Sequence, residues 1–192
     1  MENENCPPPA LEKSAGGYTV YYKNTYLYDR YNPVSKIIKK IEKIEIKENT
    51  LIVVPSPLLY YGVDYLSRKI HPSCRILCIE RDPLLFNLKD SIYSVFKECD
   101  LNKIINIQSD QCGFFLDFFE NGNSPHLFTS AFRHILFLPL NSSYLLHREF
   151  YLGCSDNLKT GLNHYLKNSL TLYSLGERSE EHTSELQSRQ VI

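Results

Sequence analysis

Two continuous apolar runs constrain the fold of this 192-residue chain most strongly. Residues 50–55 read TLIVVP and residues 75–80 read RILCIE, without the polar alternation of a half-exposed strand. Such runs are typical of parallel strands that are buried on both faces of a sheet. Helical periodicity follows each run, and Pro83 suits the first turn of the second helix. The alternation predicts an α/β fold with a Rossmann-like, doubly wound, mostly parallel sheet.

The other segments complete this architecture. The run YTVYYKNTYLYD predicts a β-hairpin before the sheet, with a tight turn at residues 23–24 where asparagine accepts a positive φ. KIINIQ and HILFLP predict the third and fourth strands of the sheet. From Ser142 we expect a mostly helical segment to about Leu175, with breaks near Gly153 and Gly161.

These elements divide the chain into four parts. We expect a disordered N-terminus over 1–17, a hairpin plus Rossmann-like domain over 18–141, a helical segment over 142–177 and a tail over 178–192. The tail contains RSEEHTSELQS, which resembles the translation, in one frame, of a common sequencing adapter. An artefactual or disordered tail is therefore expected, with a native sequence that continues past Glu177.

Charge and cysteine content bear on partners and compartment. The chain has 21 Lys and Arg against 22 Asp and Glu, so no global field attracts nucleic acid or an anionic membrane. Its six cysteines form no zinc pattern and are expected to be reduced, mostly buried thiols. No apolar run approaches the length of a membrane span. These features predict a cytoplasmic protein without nucleic acid partners.

A basic helix face follows Pro33. Glutamates interleave with its lysines, which favours a solvated face, although contact with a phosphate or an acidic partner stays open. The lysines of this face are Lys36, Lys39, Lys40, Lys43 and Lys47.

The carboxyl ends of the strands are the expected ligand crevice of such a sheet. Ser56 and Gly62 follow the first strand, Glu80 and Asp82 the second, and Asp110 the third. A nucleotide or S-adenosylmethionine site needs a glycine-rich turn and, some 20 residues later, an acid for the ribose hydroxyls. The acids after the second strand have about this spacing, and the acid after the third could receive a base edge. These five residues are the candidate cofactor-binding set, for a cofactor that is unknown.

The first turn departs from a nucleotide-binding loop. PSPLLYYG, residues 55–62, has one glycine, two prolines that cannot donate to a phosphate, and bulky side chains where the backbone should approach a ligand. The other interpretation of Asp82 is a cap on the following helix. No catalytic triad or metal-ligand pattern stands out among the histidines, cysteines and carboxylates.

Three segments in order resemble one known family. YLYDRYNPVSKI, TLIVVPSPLLYYGVDYL and ILCIERDPLLF are similar to the N-terminal domain of the motility accessory factor family, the Maf-type flagellin glycosyltransferases. Relatives share this domain with an archaeal 6-hydroxymethylpterin diphosphokinase. LTLYSLGER resembles the T-L-x-x-L-G-x-x-W segment that leads into the family's central domain. The resemblance covers roughly Tyr18 to Glu177, and Leu58–Tyr61 stands in place of the family's G-x-G-L-G-Y-like turn.

The resemblance implies a truncated N-terminal domain whose helical segment leads to a missing central domain. That central domain would hold a nucleotide-sugar donor, and the whole enzyme would transfer a nonulosonic acid to Ser or Thr of flagellin. Flagellin or a flagellar chaperone would be the partner, and the present part would not be catalytic by itself. Two alternatives stay open: a domain similar to S-adenosylmethionine-dependent methyltransferases, and a non-catalytic interaction module.

Overall fold

The structure is a computed structural model that describes residues 7–88, 100–116, 118–119 and 132–188, with the side chains of its final helix described to residue 168. Within these residues the chain forms two sheets and four α-helices. The strands are β1 (Ala10–Ser14), β2 (Gly17–Tyr22), β3 (Thr25–Tyr26), β4 (Thr50–Pro55), β5 (Arg75–Glu80), β6 (Ile104–Gln108) and β7 (His134–Phe137). The helices are α1 (Pro33–Glu42), α2 (Val63–Lys69), α3 (Pro83–Asn87) and α4 (Arg148–Ser188).

The N-terminal sheet is antiparallel, in the order β1-β2-β3. Lys23 and Asn24 have φ values of 47° and 62°, as a two-residue hairpin turn requires, so the predicted hairpin is confirmed. The prediction of disorder over 1–17 is wrong for β1, which pairs with β2 from Ala10 to Ser14. Its short, mixed sequence carries little strand signal, and the pairing with β2 supplies the missing stability.

The second sheet is parallel throughout and has the order β6-β5-β4-β7. The chain runs from β4 outward to β5 and β6, and then returns to place β7 on the other side of β4. This order confirms the α/β, Rossmann-like fold and sets the topological switch point between β4 and β7.

Both faces of the parallel sheet are buried. Ile52 and Val54 face one core, which also receives α1, α2 and the N-terminal sheet. Leu51 and Val53 face a second core, formed with α4 and the segment that follows β6. Continuous apolar runs are what a strand between two cores requires, which explains why β4 and β5 could be identified from sequence.

Helices α1 and α3 each begin with a proline that follows a side-chain cap, and the sequence predicted this start for α3. Asn32 caps α1 by accepting a hydrogen bond from the Ser35 N–H, and Asp82 caps α3 in the same way through the Leu84 N–H. Helical spacing after Pro83 predicts that Leu84 faces the core, but Leu84 is 47% exposed, because α3 turns Leu85 inward instead. The sequence PLLFNLKDSIYSVFKE predicts this helix over residues 83–98, of which 89–98 lie outside the described residues.

Helix α4 runs without interruption from Arg148, after a 3₁₀ turn at Ser143–His147. The predicted breaks at Gly153 and Gly161 are therefore wrong. Residues 178–188 are helical, which contradicts a disordered tail there and leaves its adapter-like character untested. An established helix extends at one hydrogen bond per residue, and Glu, Leu and Gln in this string are good helix formers.

The described cysteines fit the expectation of reduced thiols. Cys74, Cys78 and Cys154 are free and buried, while Cys112 is free and half-buried. Burial raises the pKa of Cys154 to about 12, so this thiol is unreactive. No helix in the described part of the chain has both the length and the apolar character needed to cross a bilayer.

Candidate functional site

The carboxyl edge of the parallel sheet holds the residues that the sequence singled out. At the switch point the ends of β4 and β7 are joined directly, since Asn141 Nδ2 and Ser143 Oγ donate to the Ser56 carbonyl at 2.9 and 3.1 Å. Tyr28, from the chain after β3, donates its hydroxyl to the Pro57 carbonyl at 2.9 Å. The same hydroxyl accepts from the Leu59 N–H at 3.1 Å. Protein side chains therefore occupy the crevice between the ends of β4 and β7, where a ligand would bind in such a sheet.

The turn after β4 has several positive φ angles, as glycine-rich loops have, but most of them are at residues other than glycine. Ser56, Leu58 and Tyr60 have φ values of 46°, 48° and 58°, and Gly62 has 83°. Residues other than glycine in this region each cost about 1–3 kcal/mol and persist only where the surroundings hold them. Burial holds them here, because Leu58, Leu59 and Tyr60 are each 2% exposed.

Several N–H groups at this turn are used internally. Ser56 N–H donates to the Ile79 carbonyl, Tyr60 N–H to the Pro57 carbonyl and Val63 N–H to the Tyr60 carbonyl, all at 2.8–3.0 Å. A phosphate cradle needs such groups to point at the ligand. This turn gives them to its own chain instead.

Gly62 is present for packing. A Cβ at this position would lie 2.4 Å from Ile37 Cγ2 and 2.7 Å from Ile41 Cδ1 of α1. In a nucleotide loop a glycine lets the backbone approach a ligand, whereas here it lets the start of α2 approach α1.

Glu80 and Asp82 form the centre of a buried polar network. Glu80 Oε2 accepts from Ser56 Oγ at 2.6 Å, while Oε1 accepts from Tyr151 OH at 2.9 Å and from the Asp82 N–H at 3.0 Å. Asp82 Oδ1 accepts from the Leu84 N–H, and Oδ2 accepts from Tyr22 OH at 2.9 Å. All four carboxylate oxygens thus have protein partners, and the capping interpretation of Asp82 is confirmed.

Burial governs the electrostatics of this network. Glu80 is 2% exposed, and its burial raises its pKa, against the opposing hydrogen bonds from Ser56, Asp82 and Tyr151. Burial also raises the pKa of Tyr151, so its hydroxyl stays protonated as a donor to Glu80. A positive charge lies beside the carboxylates of the network, because Lys23 Nζ is 3.7 Å from Asp82 Oδ2.

The structure brings together only part of the candidate set. Ser56, Glu80 and Asp82 belong to one hydrogen-bonded network. Gly62 lies against α1, and Asp110 is exposed beyond β6 with no hydrogen bond or ion pair to a described residue. The role of these five residues in cofactor binding stays a prediction.

Sequence reasoning missed three tyrosines of this edge: Tyr22, Tyr28 and Tyr151. Tyr151 lies 71 residues after Glu80 and was read only as part of a helix. A buried carboxylate needs donors, so the prediction of Glu80 at a buried strand end could have prompted a search for hydroxyls, but not their positions. The charged neighbours Arg148 and Glu149 favour a surface position for His147, but it is half-buried, and its Nδ1 lies 3.2 Å from Arg81 Nη1.

Replacing Glu80 by glutamine should lower the free energy of unfolding by about 2 kcal/mol, because an amide nitrogen would then face hydrogen-bond donors. The raised pKa adds a pH signature: the folded wild type binds the Glu80 proton more tightly than the unfolded chain does. Wild-type stability from this group therefore falls as pH rises from the unfolded value of 4.5 through the folded pKa. Urea unfolding across this window measures both effects.

The variant lacks this titration, so the stability difference between wild type and Glu80→Gln should narrow as pH rises. Glu42→Gln, at the exposed end of α1, is the matched control and should leave both stability and pH dependence unchanged. A difference that is constant over the whole window would contradict the raised pKa.

No group of three His, Cys, Asp or Glu side chains in the described part of the chain is placed to hold a metal ion. The network consists of two buried carboxylates, the hydroxyls of Tyr22, Ser56 and Tyr151, and the backbone N–H groups of Asp82 and Leu84, which satisfy the carboxylate oxygens. Such an arrangement fixes the strand ends rigidly.

Comparisons with known proteins give one distant relative. The chain is 27% identical over 170 residues to an uncharacterized protein of Treponema pallidum (strain Nichols). The matched region covers 88% of this chain but 28% of the relative, so the chain spans less than a third of that protein's length. No family model matches the chain, and no solved structure matches it.

Proposed function

We propose that this chain is a non-catalytic, Rossmann-like module of a longer Maf-type flagellin glycosyltransferase. The observation that carries the non-catalytic part is the filled carboxyl edge of the sheet. Leu58, Leu59 and Tyr60 are buried where a nucleotide loop would admit a ligand, and the carboxylates of Glu80 and Asp82 have all their oxygens paired.

We infer that a module of this kind works as a rigid support for another domain or protein. Hydrogen bonds from Asn141, Ser143 and Tyr28 hold its strand ends together across the switch point. These bonds keep the exposed surface of the module in a fixed shape. Such a unit positions a catalytic domain or an acceptor protein and needs no cofactor for that purpose. We infer that the nucleotide-sugar donor belongs to another domain, and that flagellin or a flagellar chaperone is the cytoplasmic partner.

Two findings support the longer parent protein. The family-like segments occur in the family's order and include the start of α1, β4 with its turn, and β5. The Treponema relative is also much longer than the region that it shares with this chain. The transfer of nonulosonic acid to flagellin Ser or Thr rests on the resemblance alone.

An S-adenosylmethionine-dependent methyltransferase is the second candidate. The strand order and the acids at the end of β5 favour it, since ribose hydroxyls bind at such positions. The pairing of these acids with Tyr22, Tyr151 and Ser56 weighs against it, because a ribose would have to displace those partners.

The proposal is tested in the organism that carries the gene. Deletion should remove the glycan mass from flagellin in intact-mass spectra, and the native gene should restore it. A copy with Asp110→Asn, which alters the exposed acid of the candidate cofactor set, should restore it fully because the module uses no cofactor. Unchanged flagellin mass after deletion would contradict the flagellin assignment.

Titration of the purified chain with S-adenosylmethionine separates the rivals. We expect no saturable change in the amide resonances of residues 56–62 and 80–82 at millimolar ligand. Saturable shifts at both segments would favour the methyltransferase alternative and overturn the non-catalytic module.

A further inference from the structure

Strand β7 lies at one edge of the parallel sheet but has apolar side chains on both faces. It pairs with β4 over His134–Phe137, and no strand of the described residues pairs with its other side. Leu136 packs against the first core, while Ile135 and Phe137 pack against the second. All three are half-buried, whereas β4, which has a strand on each side, is buried throughout. β7 therefore has the composition of an inner strand at the position of an edge strand.

The backbone of β7 presents hydrogen-bonding groups at this free edge. Just after the strand, the Leu138 N–H donates to the Val53 carbonyl of β4. Successive residues of a strand point their N–H and C=O groups to opposite sides, so those of Ile135 and Phe137 point away from β4. Such groups on an apolar edge are a template for pairing with another strand.

The edges at β1 and β6 carry polar residues that oppose such pairing. β1 includes Glu12 and Lys13, and β6 includes the exposed Asn106 and Gln108. β7 has no Lys, Arg, Asp or Glu, and its register with β4 is continuous from His134 to Phe137, without a bulge. Proteins protect their sheet edges with charged residues and bulges. Of these three edges, β7 is the one that another strand can join most readily.

The free edge of β7 is complementary to itself. In an antiparallel pairing about a two-fold axis, Ile135 lies opposite the partner's Phe137, and the same pair occurs twice. Each pair can exchange two N–H···O bonds, because both residues point these groups outward. Leu136 then lies opposite the partner's Leu136. A β-branched residue meets an aromatic one, and no like charges are opposed, both of which stabilise strand pairs.

We propose that β7 pairs with β7 of a second copy of this chain, in an antiparallel register centred on Leu136. The resulting two-fold dimer joins the two four-stranded sheets into one continuous sheet. Because the axis is perpendicular to the sheet, both cores continue across the dimer, and residues 135–137 gain neighbours on their open side. The proposal is independent of the proposed function, because it holds whichever parent protein carries the module.

Analytical ultracentrifugation of the full chain tests the dimer. We expect a reversible monomer–dimer equilibrium with a Kd on the order of 10–100 µM, because so small an interface binds weakly. Ile135→Pro removes an outward N–H and no hydrogen bond to β4, and prolines of this kind are tolerated at sheet edges. It should weaken dimerisation by about tenfold or more, since the two-fold axis doubles the loss.

Ile135→Val is the matched control for the proline variant. Valine has the same number of side-chain carbons as proline but keeps the N–H, so it should change the Kd by less than about threefold. Equal effects of the two substitutions would overturn the proposal. A wild-type chain that stays monomeric up to about 1 mM would overturn it as well.

Disulfide cross-linking tests the register without a proline in the strand. Leu136→Cys places two thiols at a non-hydrogen-bonded pair, where the Cα atoms are about 4.5 Å apart and a disulfide can form. Oxidation with diamide, which takes up the two thiol hydrogens, should give a covalent dimer linked at residue 136. Peptide mass spectrometry without reduction identifies the link.

His134→Cys is the control for the cross-link. Residue 134 is more exposed than residue 136, but the two copies of it would be about 13 Å apart in this register, so no link is expected. A link at residue 134, or none at residue 136, would overturn the proposed register. Neither result bears on flagellin mass or on S-adenosylmethionine binding, so failure here is distinguishable from failure of the proposed function.

Discussion

Gly62→Ala is expected to lower the free energy of unfolding by about 3 kcal/mol and the melting temperature by about 10 °C. The new Cβ would lie 2.4 Å from Ile37 Cγ2 and 2.7 Å from Ile41 Cδ1, both buried side chains of α1. Overpacking of this kind typically costs about 1–3 kcal/mol. Alanine at a φ of +83° adds strain of about 1–2 kcal/mol. Thermal and urea unfolding of the purified variant measure the loss.

Two further variants distinguish a clash with α1 from a nonspecific effect of replacing a glycine. Gly113→Ala is the matched control, because its Cβ would meet nothing within 4 Å, and it should change stability by less than about 0.5 kcal/mol. Ile37→Ala removes the nearer of the two atoms that the new Cβ of Gly62→Ala would strike. The double variant should therefore be more stable than the sum of the single losses, by about 1–2 kcal/mol. Additive losses would show that Gly62 serves something other than contact with α1.

The elements that could be predicted from the sequence are those with a strong local sequence pattern. β4 and β5 could be identified because a strand between two cores is apolar along most of its length, and Val53 and Val54 indeed face opposite cores. The hairpin turn at Lys23 and Asn24 could be identified because two β-rich runs flank it and asparagine accepts a positive φ. β1 could not, since Ala10–Ser14 has no periodicity and depends on pairing with β2.

Of the candidate site, only the positions of the two acidic residues could be predicted from the sequence. Glu80 and Asp82 were placed at the end of β5 from the sequence alone, and a capping role for Asp82 follows from its position before Pro83. Their partners come from distant parts of the chain, with Tyr22 60 residues before Asp82 and Tyr151 71 residues after Glu80. No local pattern encodes such contacts.

Glycine is the residue type whose structural role is hardest to predict from this sequence. The sequence places Gly62 in the candidate cofactor-binding set near the switch point, and it predicts breaks near Gly153 and Gly161 in the last helix. In both places the glycine lies at or within a helix that packs closely against a neighbour. A single sequence does not distinguish a glycine that bends the chain from one that makes room for another segment.

Gly161→Ala should therefore destabilise the protein by about 2–4 kcal/mol, although alanine is the better helix former by about 1 kcal/mol. The new Cβ would lie 2.2 Å from the Leu116 carbonyl oxygen, whereas carbon–oxygen contacts in proteins are about 3.3–3.6 Å. Because the obstacle is backbone, α4 must move by about 1 Å from the segment after β6, and Phe119 in the second core moves with it. Urea unfolding of the variant measures the cost.

Gly153→Ala in the same helix is the control that isolates this contact. Its Cβ would meet Cys112 Sγ at 3.5 Å, an ordinary contact, so helix propensity should dominate and stabilise the protein by up to about 1 kcal/mol. The two substitutions are chemically identical and lie two turns apart in α4, yet they are expected to have opposite signs. If both stabilised the protein, α4 would not lie against the Leu116 carbonyl as described. If both destabilised it, the helix would have the breaks that its glycines first suggested.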